Sequence, residues 1–419
     1  MDAKTPSSRQ CPLLRWSAAA IVAACVAVVP VGCSDDATGD GRSTSAPTGS
    51  EASSKGPTKP LVETPSIRVI DPGPVEQVPR EDRELGTRSG GSPLDDLPAD
   101  TKLLVDFGQR PDWSPDGERI VFLDRSPLGD VWSVDVESGE TTQLTDDPDQ
   151  LYTRAYFLSD GDLLLCGPTS GPSPTPERPE AGRFTAVMFL FRAPFDGEPE
   201  PLGIPCWEGV ATSSTSKRIA WNRSDIDYTD SDLADRVING VNEVWVGELV
   251  DVDGRAAVVG ARPVLDRESF GQLAIFEVQG FRPPDDQELI VTAYAYQGGE
   301  VLGVDLETGE VRNYSNSSAY EEAEGVDPSG SSVFVERDLE YSGIEPGALD
   351  IWRLGLDDRG WERITTFNRW APFYASNPAV SPDGRTLAFQ LSVDGEVEGR
   401  GDGILLKDLR PSDAGEEGP

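Results

Sequence analysis

The sequence predicts an all-β chain, a six-bladed β-propeller closed by its own N-terminal strand, and three observations carry that prediction. The turn Ser-Pro-Asp-Gly followed by an alternating strand is written twice, as "DWSPDGERIVFLDR" from residue 112 and "AVSPDGRTLAFQLS" from residue 379. Four weaker copies stand between them, and each of the six is followed by a second hairpin, truncated in the last. The strand-like run "TKLLVDF" at 101–107 precedes the first unit and belongs to none, while the sixth unit ends one strand short.

Residues 1–32 join Lys4, Arg9 and Arg15 to the apolar stretch "SAAAIVAACVAVVPVG". That stretch is short for a membrane span and is interrupted by Pro30. With Gly32-Cys33-Ser34 behind it, the segment resembles a bacterial lipoprotein signal. The resemblance implies cleavage before Cys33 and acylation of that residue, which would hold the mature chain to a bilayer. Cleavage at Cys25, or an ordinary secretory signal, are the alternatives. Residues 33–97 are rich in Ser, Thr, Gly, Pro and acidic side chains. They carry little apolar material to offset the entropy of ordering, so they are expected to be a flexible tether. A flexible chain of roughly 60 residues reaches about 45 Å.

Residues 98–411 hold the repeats, and 412–419 are expected to be a disordered tail. In the turn, Pro presets its own φ and Asp-Gly supplies the positive φ of a tight hairpin. "ERIVFLD" and "RTLAFQL" then alternate as half-buried strands do. The weaker copies are "FLSDGDLLLCG" at 157, "SSTSKRIAWNR" at 213, "RPPDDQELIVTAY" at 282 and "VDPSGSSVFVER" at 326. Trp132, Trp245 and Trp352 share one place in the third strand, with Leu190 and Leu302 there in two other copies. Six four-stranded units at a period of roughly 40 to 70 residues read as propeller blades. The long unit between Thr215 and Asp285 is where a seventh would hide. Pairing 101–107 with the last unit would close the ring and leave no open edge there. The pattern "P.WSPDG..I.F" followed by "..VW.VDV..GE...LT" resembles the PD40, or TolB-like, group of WD40-like repeats over about 101–410. The resemblance implies a scaffold that mediates protein–protein interaction.

Composition narrows the function. Asp and Glu outnumber Lys and Arg by 74 to 36, a balance that repels phosphates and excludes nucleic acid as a partner. There is no histidine. A Ser-His-Asp triad, a Cys-His dyad and a His-ligated metal site therefore cannot be built, and catalysis is not expected. A carboxylate pair facing the central channel would need no histidine and stays open. Export places Cys166 and Cys206 where disulfides persist; they read either as a bridge or as two buried small apolar residues.

Unequal loops mark one rim. Between their second and third strands, units two, three, five and six carry long inserts, three of them acidic. Asp225, Asp227, Asp230, Asp232 and Asp235 crowd the third; Asp338, Glu340 and Glu345 lie in the fifth; Asp394 and Glu396 lie in the sixth. Loops on a rigid scaffold are where binding residues gather, so this rim is the expected working face. It would suit an envelope protein with a basic surface. Converging carboxylates could instead hold Ca²⁺. No other cofactor is expected. The sequence thus describes a non-enzymatic, monomeric scaffold lipid-anchored at the cell membrane or outer membrane of a bacterium. A calcium- or small-ligand-binding sensor and a carboxylate-based carbohydrate-active enzyme are the alternatives.

Overall fold

The computed structural model describes residues 65–78, 90–169, 182–226, 233–341, 346–357, 360–393 and 401–410. Cys33, Asp227, Asp230, Asp232, Glu345, Asp394 and Glu396 lie outside them, as do the signal segment and the tail expected at 412–419.

The architecture is a β-propeller of four-stranded antiparallel units, the fourth and fifth joined by a parallel bridge between Gly299 and Tyr320 into one larger sheet. A short strand β1 (Arg68–Val69) and β2 (Thr101–Val105) come first. The first unit is β3 (Gln109–Trp113), β4 (Arg119–Leu123), β5 (Val131–Asp135) and β6 (Thr141–Gln143). The second is β7 (Arg154–Phe157), β8 (Leu163–Pro168), β9 (Ala186–Phe191) and β10 (Glu200–Pro205). The third is β11 (Val210–Thr212), β12 (Arg218–Ser224), β13 (Asn242–Val252) and β14 (Arg255–Asp266), with helix α1 (Leu233–Asn239) between β12 and β13. The fourth is β15 (Ile275–Arg282), β16 (Glu288–Tyr294), β17 (Gly299–Asp305) and β18 (Glu310–Asn313). The fifth is β19 (Tyr320–Val326), β20 (Ser332–Asp338), β21 (Asp350–Gly355) and β22 (Trp361–Arg363). The last is β23 (Phe373–Val380), β24 (Thr386–Val393) and β25 (Ile404–Asp408), and β2 pairs antiparallel with β25 as its fourth strand. The innermost strands β3, β7, β11, β15, β19 and β23 contact one another in that order, and β23 returns to β3. Trp113 Nε1 donates to the Ala379 carbonyl at 3.0 Å, tying the first unit to the last.

Local chemistry explains the repetition. Ser114 Oγ donates to Asp116 at 2.5 Å and accepts the Arg119 amide at 2.9 Å, and Ser381 does the same with Asp383 at 2.6 Å and Thr386 at 2.9 Å. Each turn is thereby closed by its own serine. A second device recurs at the far end of the third strand. The hydroxyls of Thr145, Ser315 and Thr365 accept the amides of Val131, Val301 and Ile351 and donate to Asp130, Glu300 and Asp350. This latch fixes the register of the two outer strands. Between units the core is apolar: Ile120, Val121, Phe122 and Leu123 of β4 and Leu387, Ala388 and Phe389 of β24 are fully buried. Cys166 of β8 and Cys206, just after β10, form a disulfide with a Cα–Cα distance of 6.2 Å.

Part of the stretch expected to be a free tether is docked. β1 pairs in parallel with β18, Arg68 opposite Glu310, and extends the fourth unit outward. Glu76 and Asn316 follow with a 2.8 Å backbone bond, Asn316 Nδ2 donates to the carbonyls of Pro72 and Pro74, and Val78 is buried beside Ala319 and Leu339. Further on, Ser92 caps a 3₁₀ turn at Pro93–Asp96, and Leu94 and Leu97 pack on the last unit's core. An open sheet edge supplies the backbone bonds that a count of apolar residues does not foresee.

Candidate functional site

Four of the six innermost strands carry a β-bulge at the same level. Arg110 and Pro111 of β3 stand opposite Phe122 alone, between the pairs Gln109–Leu123 and Asp112–Val121. Val278 and Gln279 of β15 stand opposite Val291, Ala323 and Glu324 of β19 opposite Val335, and Asn377 and Pro378 of β23 opposite Phe389. A bulge re-aims a side chain that regular pleating would direct elsewhere. Arg110, Gln279, Glu324 and Asn377 all line a single axial cleft of about 460 Å³, which the strands without bulges complete with Arg154, Tyr156, Val210 and Ala211. Trp113 and Phe281 add aromatic wall.

Arg110 and Asn377 hold φ angles of +58° and +47°. That left-handed region costs a non-glycine residue on the order of 1 kcal/mol, less for Asn. Both are held there by buried acceptors: the Arg110 amide donates to Gln390 Oε1 at 2.7 Å and the Asn377 amide to Glu336 Oε1 at 2.5 Å. Gly325, next to Glu324, lets the neighbouring bulge approach, since a Cβ there would sit 2.8 Å from the Pro378 carbonyl.

Along the axis behind the cleft lie further carboxylates. Tyr294 Oη donates to Glu277 at 2.6 Å and also contacts Glu322, which accepts from Tyr320 Oη at 2.5 Å. Burial raises the Glu322 carboxyl, and its hydrogen bonds from Tyr294 and Tyr320 oppose that rise. Burial, with Glu322 and Glu208 close by, pushes Glu277 up to about 8. Arg154 is 3.7 Å from Glu277 and 3.8 Å from Glu208, and Arg183 is 2.7 Å from Glu208. Glu324 and Glu336 share the side-chain amide of Asn377 at 3.1 Å each. Burial and the Glu322 charge hold both well above the usual carboxylate range. At the cleft wall burial alone raises Asp112 to about 7, although its Oδ2 accepts the Phe157 amide at 2.7 Å.

At the insert-bearing end the described residues pack inward. Phe184 of the second insert, Ile226 and Val237 of the third, and Tyr341 and Leu349 of the fifth gather with Trp207, Ile275, Tyr294 and Tyr320 into one apolar cluster. Trp207 Nε1 donates to the Ile226 carbonyl at 2.8 Å, fixing that arrangement. The cleft opens at the opposite end, among the turns that follow the innermost strands. Loop length in a sequence does not tell which way a loop folds. Of the acidic insert residues, Asp225 lies 3.8 Å from Arg236, and Asp235 accepts from Asn239 at 2.8 Å within α1. Asp338 is buried and accepts the amides of Glu340, Gly347 and Ala348, shaping its own loop. Among the described residues no three acidic or cysteine side chains come together as a metal-ligating group.

The axial residues left a signal of their own. "RPDWSPDG", "QGFRPPDD", "EGVDPSG" and "NPAVSPDG" each place a polar residue directly before Pro or Gly, a few residues ahead of the turn. Pro and Gly inside a strand mark bulges.

No family model and no curated protein matches the chain. Solved structures similar to it include a TolB from Agrobacterium tumefaciens, at 13% identity and a TM-score of 0.44 over 64% of this chain and 81% of that one. A gluconolactonase from Xanthomonas campestris matches at 13% identity and 0.45 over 84% and 98%. An oligogalacturonate lyase from Vibrio parahaemolyticus matches at 11% and 0.43 over 75% and 93%. None of these likenesses carries a functional inference.

Proposed function

We propose that the six units are the six blades of one ring and that the chain is a non-catalytic binding scaffold working through its axial cleft. The carrying observation is the set of four bulges, which direct Arg110, Gln279, Glu324 and Asn377 into one space at the cost of left-handed backbone at two of them. Strain retained in this way concentrates at sites that bind. The cleft volume of about 460 Å³ falls among those that take a small molecule or a few residues of a partner. The signal-like N-terminus supports export and lipid anchoring through Cys33, and hence a place at the bacterial cell envelope. Among the described residues no helix is long and apolar enough to cross a membrane.

Cross-linked affinity capture of the tagged full chain tests this reading. Two variants run beside it, Glu324→Lys in the cleft and one with the third insert replaced by a short turn. A partner lost in Glu324→Lys and kept in the insert variant is the expected result. A partner kept in Glu324→Lys and lost in the insert variant would return the working face to the insert rim.

A further inference from the structure

Within the cleft three consecutive units present an ordered series of polar groups: Arg110 from the first, Asn377 from the sixth and Glu324 from the fifth. Arg110 Nη1 is buried and has no hydrogen-bond partner, and the guanidinium makes no ion pair among the described residues. A buried donor left unmatched is costly, and a cationic one more so. Glu324 has the opposite character. Among the described residues it hydrogen-bonds the neutral Asn377 amide and makes no ion pair; burial and the neighbouring carboxyls, opposed by the more distant Arg154, hold it above the usual carboxylate range, so a cation seated beside it would draw off its proton. Arg154, the other guanidinium in the cleft wall, is already placed between Glu208 and Glu277. The cleft therefore offers an unmatched positive group and a carboxyl that lacks the cation needed to ionise it. Asn377 lies between them, its backbone held by Glu336 and its amide shared with Glu324.

From this arrangement we infer that the axial cleft binds a small zwitterion of amino-acid or dipeptide size, its carboxylate against Arg110 and its ammonium against Glu324. The inference deepens the axial-cleft reading and rests on it. A zwitterion matches both groups at once, whereas an anion alone supplies no cation to ionise Glu324 and a cation alone leaves Arg110 unmatched. Gln279 of the fourth unit, whose Nε2 donates to Thr292 at 3.3 Å, leaves its amide oxygen to accept a peptide N–H of the longer ligand, and Trp113 and Tyr156 wall the space. No covalent step is involved.

Calorimetric titration of the full chain in detergent tests it with glycine, glycylglycine, N-acetylglycylglycine and glycylglycinamide. Glycine or glycylglycine should bind about tenfold or more tighter than either blocked form, as each blocked form loses one charge-assisted hydrogen-bond set. In Arg110→Gln the affinity for glycylglycine should fall to that for glycylglycinamide, and in Glu324→Gln to that for the acetylated form. Comparison of the four probes on the unaltered chain needs no variant to fold. Equal binding of charged and blocked forms, or no binding of any, overturns the inference. Partner capture is read separately, so the scaffold reading can survive that outcome.

Discussion

Asp112 offers the sharpest test of the axial electrostatics, because a single substitution removes its charge and little else. Its carboxyl is raised from an ordinary 3.8 to about 7 by burial, opposed by the amides of Phe157 and Trp113. Between those two values the folded chain holds a proton that the unfolded chain has released. The group's contribution is therefore fully present below about pH 4 and is lost as pH rises toward 7, with a slope of about 1.4 kcal/mol per pH unit. Asn keeps the acceptor for the Phe157 amide and never ionises. Urea unfolding of wild type and Asp112→Asn is best compared at pH 5 and pH 8, clear of the isoelectric point near 4.2. The stability difference should shift in favour of Asn by about 3 kcal/mol across that interval. This is a ceiling, since the side chain keeps some contact with the cleft. Other titrating groups are common to both proteins and cancel. An offset that stays constant, or moves toward the aspartate at pH 8, would refute the claim that burial dominates there.

Other outcomes follow from the same coordinates. Replacing Cys166 and Cys206 together by Ala should cost about 4 kcal/mol by loop entropy for a bridge spanning 40 residues, read as a lower urea midpoint. Asp350→Ala strands Arg363 and the Phe367 amide in a buried network and should cost roughly 3–5 kcal/mol; Asp130→Ala, in the more open copy of that latch, should cost less. A chain begun at residue 106 lacks β2 and should aggregate or elute expanded on size exclusion. One begun at residue 90 keeps β2 and should stay compact.

The two kinds of information in the sequence differ in range. The Ser-Pro-Asp-Gly turns and the strands after them were legible because turn chemistry is local: the serine, the aspartate and the glycine close the hairpin among themselves. Pairing of β2 with β25 was legible for another reason, a surplus strand at one end and a deficit at the other. The cleft was not found in advance. Arg110, Gln279, Glu324 and Asn377 are scattered over some 270 positions, and what unites them is a register shift that acts through cross-strand pairing. The acidic inserts drew attention by count and length. Packing then turned Ile226, Val237, Tyr341 and Leu349 inward as a plug, a matter of direction that composition does not carry.

The docked segment at 65–78 bears on mechanics. Roughly 30 residues separate Cys33 from the first docked position, about half the tether length expected from the sequence. A pull between a bilayer held at Cys33 and a partner seated in the cleft would load β1 and the Glu76–Asn316 contact first. Behind these contacts lies β2, whose pairing with β25 closes the last unit. Two residues of parallel pairing would yield long before that closure felt the force. With the chain anchored as proposed, the segment would act as a fuse: it would let the leash lengthen under tension before the last unit is disturbed.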